Sequence, residues 1–547
     1  MGASSVLSLF SPHRIGGFTR LAMNSRLSGA FALLVLAALA PLLSAQTVNP
    51  RPAEHVVLVV WDGMRPDFVA PQYCPTLYTL ATNGTFFRRN HPAYISTTEV
   101  NGTALATGAN PGRNGIQANT DFRPELSFLS HFATEGLDSV RRGDLFTGGN
   151  YILTPTLAET LQQAGIPTIV AGSKPVTLLH DRSARKQSEA AKKSVTLYEG
   201  KTIPREVAEA LPKVNDDKPF PTPVTQPNTA QDNWTTRSLI RSLWKNGVPK
   251  YTLLWLSDPD KSQHETGVGS STSLSGIESS DKHLADVIKA LRDKGLYEKT
   301  DIFVVSDHGF STIAAGPDLV SILKRQKFTA GSKLDDAERG DVMVIGLGGS
   351  ALFYVVERDE TVIRRLVEFL QTTDFTGVVF SRLPLEGTFP LETVGYSSTN
   401  STSPDVMISL RWTASRNDYG APGMVTGAGG TRGKGTHGSL SRYDMNNTLV
   451  AAGPDIKKGL VSDVPSGNVD LAPTILWLCG VQPTKTMDGR VLHEALVTSQ
   501  EPPPKVDVKK LEAARNIGLF RWTQYLQVSE VGGTRYFDEG NGEALPK

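Results

Sequence analysis

The sequence predicts an α/β fold, a mostly parallel central sheet with helices on both faces and cap insertions, and three observations carry that prediction. Seven apolar runs recur along the chain, at residues 56–60, 168–171, 252–256, 302–305, 352–356, 406–410 and 448–451. Helix-length stretches separate several of them, at 76–83, 157–164, 277–294 and 360–372. Strands alternating with helices imply parallel pairing, because each parallel crossover lays a helix on a face of the sheet. The third observation is that three of the runs stop at Asp: His55 to Val60 leads to Trp61-Asp62-Gly63, Tyr251 to Leu256 to Ser257-Asp258-Pro259-Asp260, and Ile302 to Val305 to Ser306-Asp307-His308-Gly309. Ligands of such sheets gather at the carboxyl ends of the strands.

Taken in chain order, residues 30–43 are apolar, follow Arg20 and Arg26, and precede Ser44-Ala45-Gln46. They read as a secretory signal peptide spanning 1–45 and cut after Ala45, which makes the expected location secreted or periplasmic. Leu43 departs from the small residue usual at the third position before the cut, so an uncleaved anchor is the alternative. The run is short for a membrane span and is broken by Pro41. Met23 makes a more ordinary start than Met1. The main domain is expected over 46–497, with insertions at 182–227 and 383–402. The first of these is polar and rich in Lys and Pro, and reads as a cap over the sheet. In the helix expected at 277–294, Ile277, His283, Leu284, Val287, Ile288 and Leu291 fall near one helical stripe. A C-terminal extension, 498–547, starts at Pro502-Pro503-Pro504, and residues 509–528 are expected to form an external terminal helix.

At 547 residues the chain can bury a large core, and its net charge of +1 carries no electrostatic footprint for nucleic acid. The two cysteines, Cys74 and Cys479, each lie within ordinary fold segments and are expected as buried free thiols. Cys74-Pro75 also lacks the Cys-x-Pro-x-Arg pattern that sulfatases convert to formylglycine.

The strand-end aspartates do not stand alone. His264 follows Asp260 by four residues, His308 follows Asp307, and a Gly-rich loop from Gly427 to Gly438 carries His437. Three Asp and three His at strand ends or in a tight loop have the composition of a two-metal site.

In order, Asp62-Gly63, the Thr98 region, Asp260-x-x-x-His264, Asp307-His308-Gly309 and Thr436-His437-Gly438 resemble the alkaline phosphatase superfamily, and within it the nucleotide pyrophosphatase/phosphodiesterase branch. The likeness runs from about His55 to Glu494 and includes Asn468-Val469-Asp470-Leu471-Ala472-Pro473-Thr474. It implies an alkaline phosphatase-like fold and two Zn²⁺ per chain, one held by Asp260, His264 and His437 and the other by Asp62, Asp307 and His308. It marks Thr98, in Thr98-Glu99-Val100-Asn101, as the nucleophile and as a further ligand of the second ion, with Thr97 the competing hydroxyl. Asn119 matches the amide that donates to a phosphoryl oxygen, although a turn-forming asparagine is the plainer reading. Two cations about 4 Å apart can clamp the attacking and leaving oxygens of an in-line displacement. Attack by Thr98 and then by water gives a phosphothreonine-type intermediate and retention at phosphorus.

Two positions depart from the pattern. Family nucleotide pyrophosphatases usually place Phe after the nucleophile, where this chain has Glu99, which offers no stacking face and would repel an anion. Glu99 could equally turn to solvent or pair with a nearby Lys or Arg. Superfamily phosphomonoesterases that use Thr often add Lys-x-Arg, and Gly172-Ser173-Lys174-Pro175-Val176 supplies Lys174 but puts Val176 where the Arg would be. Lys174 could contact the phosphoryl group or be a structural lysine at a strand end. The expected activity is hydrolysis of small-molecule phosphate esters, diesters or pyrophosphates ahead of monoesters. An alkaline phosphomonoesterase or phosphonate hydrolase on the same site is the rival, and a catalytically inactive binding protein of the same fold is a remoter one.

Overall fold

The computed structural model describes residues 53–184 and 187–547. The expected signal segment lies outside the described residues. Nine strands form the central sheet: β1 (His55–Trp61), β2 (Thr85–Phe87), β3 (Thr168–Gly172), β4 (Val195–Tyr198), β5 (Lys201–Ile203), β6 (Tyr251–Leu256), β7 (Thr300–Val305), β8 (Leu449–Ala452) and β9 (Leu460–Ser462). Their spatial order is β9-β2-β8-β7-β1-β6-β3-β4-β5. β1 lies between β7 and β6 and is parallel to both, with Val57 opposite Ile302 on one side and Thr252 on the other. β8 is antiparallel to β7 and to β2, and β5 is antiparallel to β4.

The central strands read as unbroken apolar runs because both of their faces are covered. β1 sends Val56, Leu58 and Val60 into one core and Val57, Val59 and Trp61 into the other. Helices Leu157–Gln163 and Leu471–Cys479 close the first core, and helices Pro75–Asn83 and Ser271–Asp293 close the second. Each fully buried Val, Leu or Ile in these layers contributes about 1.5–3 kcal/mol of transfer free energy. The Ser271–Asp293 helix begins earlier than its apolar stripe suggests, because Ser270 caps it by accepting from the Ser273 N–H at 3.1 Å.

The described chain adds further sheets. Residues 352–356 and 406–410, expected as strands, pair antiparallel with each other as Ser350–Val355 and Val406–Leu410 within a separate six-stranded sheet. A four-stranded sheet contains Ser311–Ala315 and Gly435–Thr436, paired antiparallel. Within the 182–227 segment, β4 and β5 lengthen the edge of the central sheet.

The terminal helix expected at 509–528 is replaced by strands. Asp507–Ile517, Phe520–Val531 and Thr534–Pro546 form an antiparallel three-stranded sheet. Period-two burial is the reason: Trp522, Gln524, Leu526 and Val528 face inward in alternation. Gly532 and Gly533, with φ of 58° and 90°, make the turn that reverses the chain. Cys74 and Cys479 are buried free thiols. Among the described residues, no helix is long and apolar enough to cross a membrane.

Candidate metal centre

Three adjacent parallel strands deliver carboxylates to one place. Asp62 follows β1 directly, Asp307 lies just beyond β7, and Asp260 opens the helix Asp260–Thr266 that follows β6. The turn after β1 needs Gly63, whose φ is 73°, and its N–H donates to Asp307 Oδ1 at 3.0 Å. Gly309 is required by space, since a Cβ there would stand 1.9 Å from the Tyr443 carbonyl oxygen.

The donor atoms converge in two overlapping groups, Asp62, Asp307 and His308, and Asp260, His308 and His437, each within 4.8 Å. In the first, His308 Nε2 lies 3.5 Å from Asp62 Oδ1 and 3.3 Å from Asp307 Oδ2. In the second, His437 Nε2 is 3.6 Å from Asp260 Oδ1, whereas His308 Nε2 is 4.0 Å from that oxygen. His264 Nε2 comes nearer, 3.2 Å from both Asp260 Oδ1 and His437 Nε2. Tetrahedral donors bound at about 2.0–2.1 Å stand about 3.3 Å apart, so these separations suit one small cation in each group.

The protonation pattern fits as well. His308, His437 and His264 each turn Nδ1 to a backbone carbonyl, of Gly309, Ser96 and Gly435, at 2.9, 2.9 and 3.1 Å. A proton on each Nδ1 leaves Nε2 as a lone pair facing the cluster, the arrangement found in metal-ligating histidines. Burial pushes His308 below its ordinary pKa, and burial together with the neighbouring His308 and His264 pushes His437 well below. Asp62 Oδ1, Asp260 Oδ1 and Asp307 Oδ2 are buried without a hydrogen-bond partner. Orphaned carboxylate oxygens are expensive in a protein interior unless a cation meets them.

Lys174 is the ammonium within this cluster. Its Nζ donates to Asp62 Oδ2 at 2.7 Å and reaches Asp260 Oδ2 at 3.4 Å and Thr98 Oγ1 at 3.5 Å. Burial opposes its charge, but Asp260, Asp62 and Asp307 outweigh burial and hold it well above the usual lysine range. Three carboxylates against one ammonium leave a deficit that burial and Asp62 relieve by pushing Asp307 well above the usual carboxylate range. Divalent cations would remove that deficit. Trp255 Nε1 also donates to Asp62 Oδ2, at 2.9 Å, so Oδ1 of Asp62 is the oxygen left over.

Thr98 is the first residue of the buried helix Thr98–Thr107. Its Oγ1 lies 3.4 Å from His308 Nε2, one donor separation from the first group. Thr97 Oγ1 is buried without a partner. Asn119 Oδ1 accepts from the Glu99 N–H at 3.2 Å, which leaves the amide nitrogen as its donor end. Val176 is wholly buried, and a Cβ on Gly102 would lie 2.5 Å from its Cγ2, so Val176 packs closely on the Thr98–Thr107 helix and brings no charge to the site.

Three contributors, Glu135, Trp255 and Phe310, are not evident from sequence, and the first acts on Glu99. Glu99 is only 5 % exposed, with Oε2 unpartnered, rather than turned to solvent. Burial and then Glu135 push it well above the usual carboxylate range. Trp255 and Phe310 are the others; the Phe310 ring stands 4.9 Å from that of His264 and 5.2 Å from that of His437, walling the second group. Phe310 directly follows Gly309, whereas nothing near Glu135 in the chain marks it.

The family model for type I phosphodiesterase / nucleotide pyrophosphatase matches residues 56–440. Among solved structures, human ectonucleotide pyrophosphatase/phosphodiesterase 5 superimposes with a TM-score of 0.56 at 18 % identity, covering 81 % of this chain and 100 % of that one. The murine protein gives 0.55 at 18 %, covering 81 % and 100 %. An inactive threonine-to-alanine variant of the murine protein, in complex with AMP, gives 0.54 at 18 %, covering 79 % and 96 %. A search of curated proteins found no match.

Proposed function

Because the chain belongs to the type I phosphodiesterase / nucleotide pyrophosphatase family, we propose that it is an exported two-zinc hydrolase of phosphodiesters or pyrophosphates with Thr98 as its nucleophile. The observation that carries this reading is the Thr98 hydroxyl at the head of its helix, 3.4 Å from His308 Nε2 and beside three orphaned carboxylate oxygens. Asp62, Asp307 and His308 would hold one Zn²⁺, with Thr98 as the further donor, and Asp260, His264 and His437 the other. When bound, the ions would supply Lewis-acid stabilisation of charge on the reacting oxygens.

The chain's own groups account for the rest. The amino-terminal end of the Thr98–Thr107 helix favours anionic charge at Thr98 Oγ1 and on a phosphoryl group in front of it. Lys174, 3.5 Å from that oxygen, favours its ionised form in the same way. Asn119, its Oδ1 held by the Glu99 N–H, would donate from its amide nitrogen to a phosphoryl oxygen. The Thr98 oxygen forms a bond to phosphorus as the ester oxygen leaves, and water then breaks the Thr98 ester from the opposite side. Two displacements leave the configuration at phosphorus unchanged. The expected signal peptide at 1–45 supports a secreted or periplasmic site of action.

Diester preference is favoured because Val176, buried, brings no second cation to grip a dianion. The AMP complex of the murine relative makes nucleotides the first substrates to try. The test is turnover of bis-aryl against mono-aryl phosphate esters by zinc-reconstituted protein, and faster monoester turnover overturns the diester preference.

A further inference from the structure

Behind the candidate metal centre lies a cluster of four asparagine side chains, a triangle of Asn90, Asn447 and Asn468 with Asn101 joined to it through Asn468, all wholly buried. They come from distant parts of the chain. Asn90 Nδ2 donates to Asn447 Oδ1 at 3.0 Å and Asn468 Oδ1 at 3.3 Å, and Asn447 Nδ2 donates to Asn468 Oδ1 at 3.0 Å. Asn468 Nδ2 in turn donates to Asn101 Oδ1 at 3.1 Å and to the Asp307 carbonyl at 2.6 Å.

The cluster ends on the two segments whose separation matters for reaction. On one side Asn447 Nδ2 donates to the Ser306 carbonyl and Asn468 to that of Asp307, the backbone just ahead of His308. On the other, Asn101 Nδ2 donates to the carbonyls of Ala93, Ile95 and Thr97 at 3.1, 3.3 and 3.1 Å, fixing the approach to Thr98. Asn101 Oδ1 also accepts from the Ala93 N–H at 2.7 Å. Buried carbonyls beyond a strand end have lost their ladder partners and must find donors elsewhere. An amide provides donor and acceptor on one short, rigid side chain, so linked amides that also bond the surrounding backbone fix one arrangement.

We propose that Asn468 is a positioning residue that locks the Asp307-His308 segment to the Thr98 helix and so sets the distance between His308 Nε2 and Thr98 Oγ1. It touches neither substrate nor metal and acts through the Asp307 carbonyl and Asn101. The effect on turnover rests on the proposed role of Thr98; the effect on metal retention does not.

The experiment compares Asn468→Ala with Asn215→Ala in the zinc-reconstituted full chain. Asn215 is another buried amide, donating to the Leu211 carbonyl and Ser238 Oγ at 2.9 and 2.8 Å outside the site, and so reports the general penalty of losing one. Two quantities are read: the rate of zinc release to a chromogenic chelator, and kcat and KM on a bis-aryl phosphate. Supporting tissue around a metal ligand is worth about 10–100-fold in affinity, so Asn468→Ala should release zinc at least about tenfold faster. kcat should fall by at least about tenfold with KM within about twofold. Release no faster than from Asn215→Ala overturns the proposal, as does a loss carried by KM. Should Asn468→Ala not fold, Asn468→Ser keeps one donor and carries the same two readouts. If the wild-type protein turns over no diester, the function proposed above fails, and zinc release still decides the role of Asn468.

Discussion

His308 and His437 stack face to face, their ring centroids 3.6 Å apart and their planes within 13°. Two protonated imidazoles could not share that geometry in a buried site, because like charges would repel across it. Burial lowers both imidazoles below their ordinary range and so favours neutral rings, and each already spends Nδ1 on a carbonyl. The stack therefore presents two Nε2 lone pairs to the carboxylates of Asp62, Asp260 and Asp307.

Chelation should abolish activity and Zn²⁺ should restore it. His308→Ala and His437→Ala should each lower bound metal, whereas His131→Ala, an exposed residue bonded to the Ser332 carbonyl, should not. Metal analysis of fully active protein checks this directly. At most one site-bound ion per chain would refute the two-metal arrangement.

Thr98→Ala should lose at least about 10³-fold in kcat while folding normally, the scale of a lost covalent catalyst. Thr97→Ala should stay near wild type, since the Thr97 hydroxyl has no partner to activate it. Acid quenching during turnover of a ³²P-labelled diester, followed by peptide mapping, should place the label on Thr98. Label on Thr97 would reverse the assignment.

Glu99→Phe should improve binding of nucleotide substrates. The exchange removes a buried, unpartnered oxygen pressed against Glu135 and adds a face on which a base can stack. Stacking is worth about 1 kcal/mol, roughly fivefold in KM. Glu99→Leu, which lacks the ring, separates stacking from loss of the carboxyl. Equal KM values for Phe and Leu variants would rule out stacking as the cause.

What the sequence disclosed follows the physics of burial. β1, β6 and β7 were legible because a strand covered on both faces is apolar throughout, and the ligands begin just past it. His264 was legible from its i, i+4 place after Asp260, on one helix face. Glu135 and the triangle of Asn90, Asn447 and Asn468 were not, because contacts between distant segments leave no local period. The C-terminal strands misled for a different reason. Lys509, Lys510, Glu512, Ala513, Ala514 and Arg515 favour helix individually, and only pairing with Phe520–Val531 overrides that preference.

That last difference is itself testable at Trp522. Its side chain is wholly buried in the core beneath the six-stranded sheet, and Nε1 donates to the Gly387 carbonyl at 2.9 Å. Had residues 509–528 formed an external helix, replacing this residue would change stability by no more than a surface substitution, within about 0.5 kcal/mol. In the strand it anchors the C-terminal sheet to the domain, so Trp522→Ala should cost about 3–5 kcal/mol and leave the Gly387 carbonyl unpaired. Trp522→Phe keeps much of the volume but loses the hydrogen bond and part of the ring, and should fall between. Chemical denaturation followed by far-ultraviolet circular dichroism checks the order. The metal centre is built on other strands, so zinc content of the folded variants should match wild type even where stability falls; loss of zinc together with stability would mean that the C-terminal sheet supports the centre as well.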